Sequence, residues 1–235
     1  MILKKIPPVL HVVTPDNPIL MDYTSPPNKK LVLFFAGWGM DEQPFLANGR
    51  SDRDLIIAYD YHSLALDESL LRGYEEIQVF AWSMGVWAAA QVLPGLKSRN
   101  YPVRTCTAIN GTAFPIDDEK GIPNQVFKGT LATLSEWTLD KFRLRMCGSR
   151  ELLQQFLANT PKRDIESLRT ELIAIGEQVA ACSGTAFQWD QAYIGTEDRI
   201  FSPENQQRAW NHTPHRFFDA GHYPQKLVQE LLLQV

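Results

Sequence analysis

Val79-Phe80-Ala81-Trp82-Ser83-Met84-Gly85 joins two segments of different hydrophobic pattern. The apolar run Ile77–Phe80 is typical of a buried strand, and the alanine-rich segment Met84–Leu93 has helical character. A strand that becomes a helix within so few residues has room only for small side chains, and an alanine and a glycine lie two positions either side of the serine. We therefore expect a strained turn that holds the Ser83 hydroxyl outward at a helix N-terminus, where negative charge is favoured.

Strand-like and helical segments alternate on both sides of this turn. The strand-like segments are Leu31–Phe35, Leu55–Tyr59, Val103–Ile109, Phe187–Ile194 and Arg216–Phe218. Such alternation predicts a mostly parallel central sheet flanked by helices. A serine at a strand-to-helix turn is typical of the α/β-hydrolase fold, and we expect residues 1–116 and 185–235 to form its core.

Residues 117–184 have a different pattern, with helical spacing and no convincing strand. The helical runs are Phe127–Trp137, Lys141–Met146, Leu152–Leu157 and Ile165–Val179. We interpret this region as a helical cap inserted over the strand ends.

Three local features complete the expected architecture. Asp41 is predicted to be the N-cap of a helix over residues 41–47. Pro94-Gly95 is expected to end the helix that follows the serine. The proline-rich residues 1–28 contain two possible edge strands, at Val9–Val13 and Ile19–Tyr23.

A serine hydroxyl is a poor nucleophile until a base, itself oriented by an acid, takes its proton. In an α/β-hydrolase these partners follow the serine in the order acid, then histidine. Among five histidines, His222 directly follows a predicted strand and precedes a predicted helix. Gly221 allows the tight turn that directs the imidazole toward Ser83, so His222 is the predicted base.

The acid is expected after the preceding strand, which ends near Gly195. Asp198 lies in the loop that follows and is the preferred candidate, with the neighbouring Glu197 as its competitor. Asp190 lies within a predicted strand, and Asp219 is too close in sequence to the histidine. We therefore predict Asp198 as the orienting acid.

The negative oxygen that forms during ester cleavage needs preorganised N–H donors. The backbone N–H of Met84 is the first predicted donor. The second is that of Trp38, because Gly37 and Gly39 allow the unusual backbone that would aim it inward. The indoles of Trp38 and Trp82 either form the wall of an acyl-binding site or pack in the core.

Composition and sequence motifs give no support for several other classes of function. The net charge of −4 gives no reason to expect nucleic-acid binding, and there is no apolar run of about 18 residues that suggests a membrane span. Three cysteines without metal-ligand spacing predict reduced thiols in a cytoplasmic protein. Neither a phosphate loop nor a complete dinucleotide motif occurs, and no His, Cys and Asp cluster has metal-ligand spacing.

Five segments of the chain resemble the BioG-type pimeloyl-[acyl-carrier-protein] methyl ester esterases, α/β-hydrolases of bacterial biotin synthesis. They are Phe34–Asp41, Tyr59–Tyr61, Ala81–Gly85, Ile109–Thr112 with Pro115, and Gly121–Pro123. The resemblance runs from about Lys29 to the C-terminus, whereas the first 28 residues depart from it. It implies that Ser83 attacks the methyl ester of a pimeloyl chain borne by acyl carrier protein, and that no metal or organic cofactor takes part.

The charge of the predicted cap is compatible with an acidic partner. Between residues 128 and 169 there are eight Lys or Arg and five Asp or Glu, a local charge of +3 within a negative chain. Arg143, Arg145 and Arg150 are the first candidates for carrier-protein docking. Scattered cap charges are also consistent with a solvated helical surface.

Two other interpretations of the whole chain remain open. The same three residues would serve a hydrolase for another small ester or thioester. A non-catalytic binding protein that has kept the fold is the alternative from a different class.

Overall fold

The computed structural model describes residues 1–7, 28–49, 52–182 and 187–234. Within these ranges a seven-stranded sheet is flanked by helices, as the alternating pattern predicted. The strands are β1 (Ile2–Ile6), β2 (Lys30–Phe35), β3 (Asp54–Tyr59), β4 (Glu76–Trp82), β5 (Val103–Ile109), β6 (Gln191–Gly195) and β7 (His215–Phe218).

The strand order is β1-β3-β2-β4-β5-β6-β7, and only β1 runs antiparallel to its neighbour. Phe35 pairs with Ala81, and Trp82 pairs with Ile109. The carboxyl ends of β2, β4 and β5 are therefore adjacent. In parallel sheets this edge is where ligand-binding loops gather.

Seven α-helices are present in the described residues. They are α1 (Met84–Ser98), α2 (Asn124–Thr133), α3 (Glu136–Cys147), α4 (Arg150–Leu157), α5 (Ile165–Ala181), α6 (Pro203–Ala209) and α7 (Gln225–Gln234). In this part of the chain no helix combines the length and apolar character needed to cross a membrane.

Both faces of the sheet are buried, as the continuous apolar runs require. In β2, Leu33 packs in the cluster that contains Trp87 of α1, whereas Phe34 packs in the cluster that contains Val228 of α7. Successive side chains of a strand point to opposite faces, so one strand contributes to both clusters.

The expectation that Pro94-Gly95 ends the helix was wrong, because α1 continues through both residues to Ser98. A proline removes one helical hydrogen bond. Leu93 and Leu96 are fully buried, however, and burying a leucine contributes about 1.5–3 kcal/mol. Tertiary packing therefore stabilises the last turns of α1.

The helix predicted over residues 41–47 is a 3-10 helix spanning Gln43–Asn48, which begins two residues later with Glu42 at its N-cap. Pro44 suits the first turn of this helix. The Asp41 carboxylate accepts hydrogen bonds from the backbone N–H of Gln43 at 2.8 Å and of Lys162 at 2.7 Å. Asp41 therefore fixes the segment before α5 against the loop after β2.

Strands β1 and β6 also differ from expectation. The segments 9–13 and 19–23, predicted as edge strands, lie outside the described residues, whereas Ile2–Ile6 forms an edge strand that was not predicted. The strand predicted from Phe187 begins only at Gln191. Phe187 and Trp189 instead pack edge to face, with ring centroids 5.3 Å apart.

Helices α2–α5 lie between β5 and β6 in the chain, and α5 is held to the core by buried polar contacts. The Trp38 indole donates to the carbonyl of Leu168 at 3.0 Å. The buried Glu171 carboxylate accepts from the Tyr61 backbone N–H at 2.8 Å and from Arg163 at 2.6 Å. Burial raises the pKa of Glu171, and the Arg163 guanidinium acts in the opposite direction.

Replacing Gly85 by alanine is predicted to destabilise the fold strongly. A Cβ at this position would lie 2.3 Å from the Phe35 carbonyl oxygen, so backbone must move, and overpacking of this kind costs about 1–3 kcal/mol or more. The free energy of unfolding, measured in urea, should fall accordingly.

Gly129→Ala is the matched control, because a Cβ there meets nothing within 4 Å and Gly129 lies inside α2. This change should stabilise the protein by about 0.5–1 kcal/mol. A Gly85→Ala protein as stable as the unsubstituted chain would contradict the packing described for α1 and β2.

Candidate active site

Ser83 lies directly between β4 and α1 and has φ 59° and ψ −130°. A positive φ is uncommon for serine and costs about 1–3 kcal/mol, so surrounding structure must enforce it. The Ser83 N–H donates to the carbonyl of Ile109 at 3.0 Å, and its own carbonyl accepts from Val86 at 3.0 Å. The strained turn predicted from the flanking small residues is therefore present.

The His222 side chain reaches this serine from the loop after β7. Its Nε2 is 2.9 Å from the Ser83 Oγ, and the residue is only 1% exposed. The structure thus brings together two side chains that are 139 positions apart in sequence.

Asp198 completes the arrangement from the loop after β6. Its carboxylate oxygens lie 3.0 and 2.9 Å from Nδ1 of His222. The backbone N–H groups of Ile200 and Phe201 also donate to this carboxylate, at 2.8 and 3.0 Å. Its competitor Glu197 is exposed, whereas Asp198 is buried.

Aromatic rings fix the plane of the imidazole. Phe201 stacks on His222 with an interplanar angle of 10° and ring centroids 5.9 Å apart. Trp82 packs on it at 5.5 Å and donates its indole N–H to the His222 carbonyl at 2.8 Å. Trp82 therefore fixes the loop that carries His222, and its side chain also lines a cavity over Ser83.

Asn110 and Gln206 contact the site, and sequence reasoning missed both. The Asn110 amide donates to the carbonyls of Gly221 and His222 at 2.8 and 3.0 Å and accepts from the Gly195 N–H at 2.7 Å. The side chain of Gln206 donates to Asp198. Asn110 directly follows the predicted strand Val103–Ile109, and a polar residue at that position was the available signal.

The two predicted oxyanion donors flank Ser83. Met84 is the first residue of α1, and the first N–H groups of a helix have no partner within it. The loop that carries Trp38 passes beside the serine, since a Cβ on Gly37 would lie 3.1 Å from the Ser83 Cβ.

A narrow cavity of about 40 Å³ lies over Ser83 and His222. Its wall is mainly apolar and comes from the turn, from α2, α3 and α5, and from the loop after β6. The lining side chains include Trp38, Trp82, Ile122, Phe127, Phe142, Met146 and Leu172.

A second, larger space of about 560 Å³ adjoins this cavity and is lined mainly by α2 and α3. Trp38, Phe142 and Arg145 line both spaces. The wall of the second space is more polar than that of the first and includes Thr133 and Lys141. The two spaces therefore lie side by side between Ser83 and α3.

The three arginines predicted for docking have different surroundings. Arg145 is exposed, lies over the Phe142 ring at 5.8 Å and lines the cavity. The Arg143 side chain is only 14% exposed and pairs with Asp140 at 3.3 Å. Arg150 is exposed at the start of α4.

Within the described ranges, no group of three or more His, Cys, Asp or Glu side chains is arranged to hold a metal ion. His62, another histidine that follows a strand (β3), contacts Asp60 and the Thr170 hydroxyl on α5. It therefore belongs to the contacts between α5 and the core.

Comparison with known proteins adds an independent line of evidence. The family model described as pimeloyl-ACP methyl esterase BioG matches residues 21–226. A relative from Bacteroides fragilis (strain 638R), named malonyl-[acyl-carrier protein] O-methyltransferase, is 51% identical over 209 residues. That match covers 88% of this chain but 42% of the relative, so the chain spans about two fifths of that protein's length.

Two solved structures resemble this one along nearly its whole length. BioG from Haemophilus influenzae superposes with a TM-score of 0.80 at 32% identity, covering 97% of this chain and 96% of that one. The α/β-hydrolase MGS-M2, from a Medee basin deep-sea metagenome library, has a TM-score of 0.61 at 15% identity, covering 91% of both chains. The second likeness is one of fold, and the chain has the α/β-hydrolase fold. The match over residues 21–226 and the likeness to the Haemophilus protein together show that this chain belongs to the BioG family.

Proposed function

We propose that this chain is a serine esterase that removes the methyl group from a pimeloyl chain carried by acyl carrier protein, a step in biotin biosynthesis. The observation that carries the proposal is the buried contact of 2.9 Å between His222 Nε2 and Ser83 Oγ, with Asp198 on the opposite ring nitrogen. Such a set of side chains activates a hydroxyl for attack on a carbonyl.

In the first half of the reaction the Ser83 Oγ attacks the ester carbonyl carbon while His222 Nε2 takes the hydroxyl proton. Asp198, which accepts from Nδ1, stabilises the imidazolium that results. The tetrahedral intermediate then collapses, and His222 gives the proton to the leaving methoxide. Methanol departs and the pimeloyl chain remains as an ester of Ser83.

The negative oxygen of the intermediate accepts hydrogen bonds from the N–H groups of Met84 and Trp38. Each such donor contributes roughly 3 kcal/mol to catalysis. The contact of the Trp38 indole with Leu168 of α5 supports this role, because it fixes the loop that carries the second donor.

In the second half of the reaction, water attacks the acyl-enzyme with His222 as the base. The products are a free carboxylate at the far end of the chain and the regenerated serine. The thioester to the carrier protein stays intact, so the net reaction consumes one water and releases one methanol.

The apolar wall of the cavity supports an acyl substrate. An apolar chamber beside Ser83 suits methylene groups, and the adjoining polar space under α3 suits the arm by which a carrier protein holds its cargo. Trp38 contacts both parts of such a substrate.

The name of the Bacteroides relative concerns the same functional group. A methyltransferase that acts on a carrier-bound malonyl group forms a methyl ester, and the proposed esterase cleaves one. Because this chain corresponds to 42% of that relative's length, we do not transfer the methyltransferase activity to it.

The carrier protein is proposed to dock on one face of α3, which we call the docking face and define as Trp137, Lys141 and Arg145. These residues are spaced four apart and so share a side of the helix. Trp137 is 66% exposed, and the Lys141 ammonium lies 3.2 Å from its ring centroid. Arg150 remains a docking candidate, whereas the ion pair of Arg143 with Asp140 makes Arg143 a weaker one.

Mass spectrometry of pimeloyl carrier protein methyl ester tests the reaction. The unsubstituted chain should convert the ester to the acid, a loss of one methylene, with the thioester intact. Ser83→Ala should lower the rate by about a thousandfold or more. Ser98→Ala, at the far end of α1, is the control and should react at the normal rate.

Cleavage at the thioester would instead favour a thioesterase. No reaction of either ester or thioester, together with no hydrolysis of p-nitrophenyl butyrate, would favour a non-catalytic binding protein.

Charge reversal tests the docking face. Lys141→Glu combined with Arg145→Glu should lower kcat/KM for the carrier-bound ester by about tenfold at low salt, because steering of an acidic partner is lost. The loss should shrink as salt rises. Arg72→Glu, an exposed change before the opposite end of β4, is the control. Equal salt dependence in all three proteins would contradict docking at this face.

A further inference from the structure

The carboxylate of Asp198 receives a hydrogen bond from a side chain that has no place in the reaction described above. Gln206, on α6, is fully buried, and its Nε2 lies 3.0 Å from the Asp198 Oδ2. The same oxygen faces His222 Nδ1 at 2.9 Å. Gln206 therefore contacts the acid at the atom that orients the base.

The orientation of the Gln206 amide follows from its partners. Nε2 also lies 2.8 Å from the Phe201 carbonyl oxygen, so two acceptors face it and it must be the NH₂ group. Its Oε1 is then buried with no hydrogen-bond partner among the described residues. A buried unsatisfied carbonyl costs about 1–3 kcal/mol, which a leucine or methionine of similar size would avoid.

We propose that Gln206 is a positioning residue, whose amide holds Oδ2 of Asp198 toward His222. The same hydrogen bond partly neutralises the Asp198 carboxylate, and so limits how strongly that carboxylate stabilises the His222 imidazolium. The inference rests on the proposed function, since it assumes that His222 acts as the base for Ser83. Gln206 does not line the cavity and acts only through Asp198.

Removing this donor should change the pH dependence in a defined direction. Without Gln206 the charge on Asp198 is less neutralised, so the protonated form of His222 is better stabilised. The base is then occupied by a proton up to a higher pH. The acid limb of kcat/KM must therefore move upward.

The other titratable groups near Asp198 and His222 do not produce such a shift of the acid limb. The side chains of Arg145 on α3 and Arg199 in the loop line the cavity with His222 and are unchanged by the substitution. The exposed Glu197 precedes Asp198 and is unchanged by the substitution. Burial raises the pKa of Cys147 to about 12 and raises that of Tyr223 as well, so both are neutral in the range of interest.

The test compares Gln206→Met with Gln207→Met, the same change at the exposed next position of α6. Hydrolysis of p-nitrophenyl butyrate is followed from acid to alkaline pH, with circular dichroism to confirm folding. For Gln206→Met we expect an acid limb about half a pH unit higher, kcat lowered about tenfold and KM unchanged. Gln207→Met should match the unsubstituted chain.

Gln206→Leu also removes the donor and serves if the methionine variant does not fold. Its acid limb should move upward as in Gln206→Met, because neither side chain donates to Asp198. An acid limb unchanged in the folded Gln206 variants would overturn the inference while leaving the esterase proposal intact. An unsubstituted chain that cleaves no ester would overturn both.

Discussion

The rest of the site depends on the lack of space around Ser83. Backbone from the ends of β2 and β5 approaches the turn so closely that a Cβ on Gly85 or Gly111 would lie within 2.4 Å of a carbonyl oxygen. The serine has a positive φ because these neighbours leave its backbone no relaxed alternative. Its Oγ therefore has one position relative to the carboxyl edge of the sheet, and partners on other loops can be built to meet it.

Those partners are held through backbone groups as much as through side chains. The carbonyl of His222 accepts from both Trp82 and Asn110, which follow or end the two central strands. Asp198 is fixed by two backbone N–H groups and by Gln206. The imidazole thus sits in a buried and rigid frame, while the cavity on its other side opens toward α2 and α3. This division suits a site that keeps its acid–base geometry and admits an acyl substrate.

The sequence predicted the sheet. It also indicated Ser83, Asp198 and His222, because each of them lies in the turn or loop that follows a strand. Gln206 was missed although Asp198 and Phe201 are close in sequence, because a buried amide has no periodic signature. Asn110 was missed because its partners lie in loops 85 to 112 residues away. Pro94 misled for a related reason, since the burial of Leu93 outweighs the local break. The edge strand Ile2–Ile6 alternates weakly and pairs with β3, about 49 to 57 residues away in sequence. For Asn110, Pro94 and the edge strand, long-range contact rather than local preference decided the structure.

Covalent labelling tests the central claim most directly, that His222 activates the hydroxyl of Ser83. A fluorophosphonate should modify the chain at one site, and peptide mass spectrometry should locate the label on Ser83. Labelling of a folded His222→Ala protein should be slower by about a thousandfold or more. A label on another residue, or equal labelling rates in the two proteins, would contradict the account.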